Sequence, residues 1–140
     1  MSFETLPPQD AHAAMAADEG CVFLDVRTVE EFDRGHPAGA INIPWALRDP
    51  DGGMAPNPDF APTVARHHGK DARLYLSCQG GVRSVHACRE LAGAGFTNLV
   101  NVDGGFGGRK GPLGNLACKG WVDSGLPVGD EPSTYEALKG

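Results

Sequence analysis

The residues best suited to chemistry lie in one short loop, Cys78-Gln79-Gly80-Gly81-Val82-Arg83-Ser84. It separates an apolar run over 72–77, which predicts a buried strand, from a stretch over 84–94 that predicts a helix. A cysteine at such a junction faces unpaired backbone N–H groups and the positive end of the helix dipole, and Arg83 adds a fixed positive charge. Because these features favour the nucleophilic thiolate and paired glycines let loop amides converge, the loop predicts an anion-binding cradle with Cys78 at its base.

Each residue type in this loop also has an ordinary structural role. Cysteine is among the residues most often buried in protein cores, and two glycines followed by a serine can form a simple turn and helix cap. The ordered combination of strand, cysteine, glycine pair, arginine and helix favours the catalytic interpretation over the structural one.

Composition predicts a single domain over residues 1–140, which is enough chain for one hydrophobic core. The net charge of −6 and the lack of a basic run argue against nucleic-acid or acidic-membrane partners. No segment approaches the ~18 apolar residues of a membrane span, and residues 1–10 lack a signal-peptide core, so we expect a soluble, cytoplasmic protein. Four irregularly spaced cysteines favour reduced thiols over disulfides or a zinc site: Cys21, Cys78, Cys88 and Cys118.

Apolar runs and helical stretches alternate along the chain. The patterns predict helices within 7–19, 28–35, 60–68 and 84–94, strands at 21–26, 40–44, 72–77 and 98–102, and a loop over 45–58. Thr28, followed three residues on by Glu31, also predicts a capping box at the start of the second helix. Such alternation predicts an α/β fold with a central parallel sheet and helices on both faces.

Ligands of such sheets bind at the carboxyl ends of the strands. Cys78 lies at one predicted strand end, Asp25 and Arg27 at a second, and Asp103 with Gly104 at a third. We therefore expect one active face, with Asp25 and Arg27 fixing the loops beneath the site and Arg27 a candidate for contact with an anion.

Three separated motifs in this chain resemble those of single-domain rhodaneses, a family of sulfurtransferases. The first is the loop 78–84, the second is 24–27 with 30–32 and 35–44, and the third is 102–105 with Trp121 and 125–128. The resemblance covers nearly the whole chain and implies a rhodanese-like fold. It also implies a persulfide on Cys78, bound by the loop amides of Gln79, Gly80, Gly81, Val82, Arg83 and Ser84, with no metal or organic cofactor.

The resemblance implies transfer of a sulfane sulfur from an anionic donor such as thiosulfate to cyanide or a thiol, with Arg83 steering the donor. Two alternatives stay open: a sulfur carrier that delivers to a protein partner, and a cysteine phosphatase or arsenate reductase. Those last enzymes have five residues between cysteine and arginine, whereas four separate Cys78 from Arg83. The smaller ring suits one sulfur atom better than a tetrahedral oxyanion.

The chain departs from the family pattern in two places. The order of residues in 36–40 shifts a proline within a turn, and a glycine-rich insert over 106–120 carries Arg109, Lys110 and Cys118. The insert is either a flap that shapes acceptor choice, with Arg109 and Lys110 as supporting site residues, or a tolerated surface loop.

The remaining candidate side chains have simpler expected roles. We expect His36 and His86 to be structural or solvent-facing, because a preformed thiolate needs no general base. Cys21 and Cys88 are expected in the core, whereas Cys118 stays open as a second sulfur-carrying thiol. Trp45 and Phe106 are expected at the mouth of the site.

Overall fold

A computed structural model describes residues 3–140, so residues 1 and 2 of the predicted 1–140 domain lie outside the described part. The elements, in chain order, are β1 (Glu4–Leu6), α1 (Pro8–Ala16), β2 (Val22–Asp25), α2 (Val29–Asp33), β3 (His36–Pro37), β4 (Ile41–Asn42), β5 (Ala46–Arg48), β6 (Met54–Pro56), α3 (Phe60–His67), β7 (Leu74–Ser77), α4 (Arg83–Gly93), β8 (Leu99–Val102), β9 (Arg109–Lys110), β10 (Leu116–Cys118), β11 (Val128–Gly129) and α5 (Tyr135–Lys139).

Five strands form one parallel sheet in the order β1-β8-β7-β2-β4. Three antiparallel pairs lie outside it: β3 with β11, β5 with β6, and β9 with β10. The strand carrying Cys78 at its end, β7, lies at the centre of the main sheet, with β8 and β2 on its two sides. The predicted α/β fold with a parallel sheet is therefore confirmed.

Helices cover both faces of the sheet, because successive strand residues alternate between two apolar clusters. Leu74 and Leu76 of β7 pack in the cluster that contains residues of α3, α4 and α5. Tyr75 packs in the other cluster, with Ala11 of α1 and the buried Trp121. The loop over 78–84 therefore follows a strand whose side chains are packed in apolar clusters on both faces of the sheet.

Helix α4 buries one face against the sheet. Ala87, Cys88 and Leu91 are fully buried on that face, and Gly95, with a φ of +98°, follows the end of the helix. The predicted core position of Cys88 is confirmed. Cys21 differs from prediction, because it lies just before β2, is half-buried, and directs its thiol toward the Met15 carbonyl at 3.8 Å.

The predicted loop over 45–58 contains the β5–β6 hairpin, so that prediction is wrong in part. The turn-forming residues are concentrated at 49–53, where Asp49 N–H donates to the Gly53 carbonyl at 2.8 Å and Gly52 adopts a φ of +89°. The residues on either side of this turn, 46–48 and 54–56, can therefore pair as antiparallel strands. The sequence patterns also missed β1, α5 and the strands β9 and β10 within the 106–120 insert.

Among residues 3–140, no helix combines the length and the apolar character that crossing a membrane requires.

Candidate active site

Cys78 lies at the base of the loop that joins β7 to α4, with 1% of its surface exposed. The Gly81 N–H donates to its Sγ at 3.1 Å, and the thiol donates to Oγ of the fully buried Ser84 at 3.3 Å. Gly81 has a φ of +92°, a left-handed conformation that glycine adopts without strain. The local sequence therefore turns the chain so that the Gly81 amide faces the sulfur just before the helix begins.

The other loop residues differ in exposure. Gln79 is exposed, Gly80 is half-buried, and Val82 is 66% exposed. Arg83 and Ser84, the last two residues of the 78–84 segment, are the first two residues of α4. Within the described residues, Gly81 and Ser84 are the two predicted cradle residues that hydrogen-bond to Cys78 Sγ, and the roles of all seven residues stay predictions.

The Arg83 guanidinium forms a two-bonded ion pair with Glu31, with Nη1 2.6 Å from Oε1 and Nη2 2.9 Å from Oε2. Glu31 also closes the capping box of α2, since Thr28 N–H donates to Oε1 at 3.1 Å and Glu31 N–H donates to the Thr28 hydroxyl at 3.2 Å. Burial favours a higher pKa for Glu31, but the bonds from Arg83 and Thr28 outweigh it and lower the pKa to about 2. The charge of Arg83 is therefore matched by a carboxylate.

A second ion pair, between Arg27 and Asp25, is fully buried under the loop, with Nη2 2.8 Å from Oδ2 and Nε 3.0 Å from Oδ1. Arg27 also donates to the Gly35 carbonyl at 2.8 Å and to Oε1 of Gln79 at 3.3 Å. The ring of Phe106 stacks on its guanidinium at 4.5 Å. Asp25 and Arg27 thus tie the cradle to β2 and to the insert, which fits the supporting role that the sequence predicts for them.

A third pair joins Arg109 of the insert to Asp103 at the end of β8, at 2.8 Å for Nε and 3.1 Å for Nη2. The hydrogen bond from Arg109 lowers the pKa of Asp103. A methyl group placed on Gly81 would lie 3.7 Å from Cδ of Arg109, so this pair adjoins the cradle. Lys110 is exposed and forms no ion pair among the described residues.

The base of the insert is bonded to the cradle through the backbone. Phe106 N–H donates to the Cys78 carbonyl at 2.7 Å, and Gly107 N–H donates to the Gln79 carbonyl at 2.9 Å. Gly105, with a φ of +59°, lies so close that a Cβ there would overlap the Cys78 carbonyl. The insert is therefore joined to the site from its first residues.

The insert begins and ends at nearly the same point. A Cβ on Gly120 would overlap the Gly108 nitrogen and lie 2.8 Å from the Phe106 carbonyl oxygen. Just beyond it, Trp121 N–H donates to the Gly105 carbonyl at 2.8 Å, and the indole N–H donates to the Pro127 carbonyl at 2.6 Å. Only the segment between Gly108 and Gly120 projects as a hairpin.

The other three thiols lack the environment of a nucleophile. Burial raises the pKa of Cys88 to about 12, and it raises the pKa of Cys21 and Cys118 as well. The carboxylate of Asp103 adds to the effect at Cys118. Among residues 3–140, no three or more His, Cys, Asp or Glu side chains gather closely enough to hold a metal ion.

Both candidate histidines have structural contacts. His36 is buried, with Nδ1 3.1 Å from the Phe32 carbonyl and Nε2 2.8 Å from Glu131. His86 is exposed and its ring stacks on Trp45 at 5.2 Å. The predicted structural or solvent-facing roles agree with these positions.

Sequence reasoning missed Glu31 as a site residue. The capping box identified it only as a helix cap, and its partner Arg83 is 52 positions away, a separation that no local pattern spans. Gly105 was also missed as a contact of Cys78, although its place in a glycine pair after a strand was a signal for close backbone approach.

Comparison with known proteins agrees with this geometry. A family model described as the rhodanese-like domain matches residues 8–110, and the chain belongs to that family. It is 37% identical over 131 residues to thiosulfate sulfurtransferase 16, chloroplastic, of Arabidopsis thaliana, covering 91% of this chain and 98% of that protein. It is 42% identical over 112 residues to senescence-associated protein DIN1 of Raphanus sativus, covering 80% of this chain but 54% of that protein.

Among solved structures, the crystal structure of Rv0390 from M. tuberculosis superposes with a TM-score of 0.75 at 25% identity, covering 93% of this chain and all of that one. The predicted rhodanese membership and the predicted fold are therefore confirmed. The family match ends at Lys110, inside the insert.

Proposed function

We propose that this chain is a sulfurtransferase that carries a sulfane sulfur as a persulfide on Cys78. The observation that carries the proposal is the hydrogen bond from Gly81 N–H to Cys78 Sγ at the N-terminus of α4. A backbone donor and a helix dipole aimed at one sulfur stabilise negative charge there both before and after the sulfur is loaded. Homology to a thiosulfate sulfurtransferase over 91% of the chain supports thiosulfate as a donor.

Loading of the cysteine is a displacement at sulfur. The Cys78 thiolate attacks the sulfane sulfur of thiosulfate, a new S–S bond forms, and the old S–S bond breaks as sulfite leaves with the electron pair. Ser84 is placed to assist, because its buried hydroxyl can donate to the sulfur once the thiol has lost its proton. Cyanide or a thiol then takes the outer sulfur and returns Cys78 to the thiolate.

The charges around the cradle bear on which donors are preferred. Three arginines adjoin it and each is paired with a carboxylate: Arg27 with Asp25, Arg83 with Glu31, and Arg109 with Asp103. Paired guanidiniums attract a small anion less strongly than free ones, since the nearby carboxylate repels it. We therefore propose that the loop amides supply most of the anion binding, and that Arg83 supports it while remaining paired.

The dimensions of the loop favour sulfur over a larger oxyanion. Four residues separate Cys78 from Arg83, and Arg83 is held by Glu31 rather than directed at a bound group. The free state of all four cysteines fits a reducing compartment such as the cytoplasm, in which a persulfide is discharged by thiols.

The test is the intact mass of the protein after incubation with thiosulfate and removal of excess donor. Wild type should gain the mass of one sulfur atom, and Cys78→Ala should gain none. Cys118→Ala is the matched control, because it removes a half-buried thiol from the neighbouring insert and should load like wild type.

Two results would overturn the proposal. One is equal loading of Cys78→Ala, and the other is loading that disappears with Cys118→Ala. Turnover of an aryl phosphate or arsenate that depends on Cys78, without sulfur loading, would instead assign the chain to the phosphatase or reductase class.

A further inference from the structure

Residues 106–120, here called the basic arm, concentrate positive charge beside the active site. They contain Arg109, Lys110 and Lys119 and no acidic side chain, although the whole chain has a net charge of −6. Arg109 is paired with Asp103, whereas Lys110 and Lys119 are exposed and form no ion pair within residues 3–140. The field of the two free lysines is therefore available to an approaching anion.

The basic arm also presents apolar side chains to solvent. Leu113 at its turn is 94% exposed, and Leu116 on β10 is 48% exposed. An isolated exposed leucine is ordinary, but here two lie on one short hairpin together with the free lysines. The chemistry that complements this surface is an acidic patch with an apolar depression, which is a protein surface rather than a small anion.

The arm is fixed to the cradle at its base. Phe106 and Gly107 donate backbone hydrogen bonds to the carbonyls of Cys78 and Gln79, so whatever binds the arm is held next to the reactive sulfur. Cys78 itself is 1% exposed, so a thiol on a large molecule must be oriented before it can reach the sulfur. Cyanide and small thiols need no such guidance.

We propose that the basic arm docks an acidic protein that bears an accessible cysteine and presents that cysteine to the Cys78 persulfide. The proposal rests on the persulfide function proposed above and names its acceptor class. In the transfer, the acceptor thiolate attacks the outer sulfur of the Cys78 persulfide and forms a new S–S bond. The bond from the outer sulfur to Cys78 Sγ breaks, Cys78 leaves as a thiolate, and the acceptor departs as a persulfide, with no external oxidant or reductant.

The experiment separates loading from discharge. Wild-type protein loaded with thiosulfate is mixed with cyanide, with a synthetic peptide containing cysteine, leucine and several glutamates, or with the same peptide carrying lysines in place of the glutamates. The loss of the persulfide is followed by intact mass. The acidic peptide should discharge the protein about tenfold faster than the basic peptide at low salt, and the difference should shrink at about 1 M salt, where screening is nearly complete.

Variants then locate the effect. Lys110→Glu combined with Lys119→Glu should remove or reverse the preference for the acidic peptide, and Leu113→Ser should raise the KM for that peptide. Arg34→Glu combined with Arg89→Glu is the matched control, because both arginines are exposed and form no ion pair in the described chain. It changes the net charge equally but should keep the preference.

Discharge to cyanide, which is largely uncharged at neutral pH as hydrogen cyanide, should be the same in all of these proteins. If the two peptides discharge wild type equally, or if the control pair changes the preference as much as the lysine pair, the docking proposal is wrong. A failure of thiosulfate to load wild type would instead overturn the persulfide function itself.

Discussion

Replacing Glu31 with glutamine tests how the cradle arginine is held. In the folded protein the Glu31 carboxylate accepts two bonds from Arg83 and one from the Thr28 backbone, and its pKa is about 2 against an ordinary value of 4.5. Each pKa unit corresponds to about 1.4 kcal/mol, so the depression represents at most about 3.5 kcal/mol of folding free energy. Because 19% of the Glu31 side chain is exposed and solvent screens the pair, we expect a measured effect of about 2 kcal/mol.

The sign of the pH dependence follows from the direction of that shift. The folded pKa of Glu31 lies below the unfolded value, so its contribution to stability is complete above about pH 5. It is lost progressively as the pH falls from there toward 2. Glu31→Gln should therefore be less stable than wild type at pH 7, and most of the gap between the two, about 1.5 kcal/mol, should be lost by pH 3.

Urea unfolding followed by circular dichroism at several pH values measures this gap. Glu30→Gln is the matched control, because Glu30 is the exposed neighbour in the same first turn of α2 and should show almost no change. The neutral side chain also leaves the charge of Arg83 uncompensated, so the KM for thiosulfate should fall in Glu31→Gln. A stability gap that is constant from pH 7 to pH 3 would refute the reasoning about the ion pair.

Three further perturbations test the contacts around the loop. Arg27→Gln leaves the buried Asp25 carboxylate without its charged partner, so the free energy of unfolding measured in urea should fall by about 3–5 kcal/mol. A loss under about 1 kcal/mol would contradict the importance of this buried ion pair. Gly105→Ala should lower the melting temperature much more than Gly114→Ala. Both glycines have a positive φ, but only a methyl group at position 105 would overlap the Cys78 carbonyl. Similar losses in the two variants would mean that the backbone conformation alone causes the effect. Cys88, with its pKa raised to about 12 by burial, should resist iodoacetamide in the native protein and react after denaturation, as peptide mapping can show, and native labelling would place it outside the core.

The conformation of the loop over 78–84 could be predicted because the residues that determine it are adjacent in the sequence. The strand, the cysteine, the two glycines and the helix are contiguous, and the observed α4 begins one residue before the predicted start at Ser84. The capping box of α2 was visible for the same reason, since Thr28 and Glu31 are three positions apart. The fold class followed from the regular alternation of apolar runs and helical stretches.

The ion pair between Arg83 and Glu31 could not be predicted from spacing alone. Arg83 and Glu31 meet across 52 positions, and the sequence therefore suggested that Arg83 was free to bind the donor. The hairpin β9–β10 was hidden for a different reason, because glycine-rich segments have weak strand propensity and its two strands are held mainly by backbone pairing. The Arg83–Glu31 pair exists only once the sheet has brought distant segments together, whereas the β9–β10 pairing is local.

The contact between Gly108 and Gly120 has a consequence for how this protein can diversify. Because the two ends of the projecting segment touch, residues can be added or removed between them at a small entropic cost and without moving the cradle or Trp121. The backbone bonds from Phe106 and Gly107 to the cysteine loop lie on the fixed side of that junction. Selection can therefore change the length and sequence of the projecting segment while the cysteine loop is inherited unchanged.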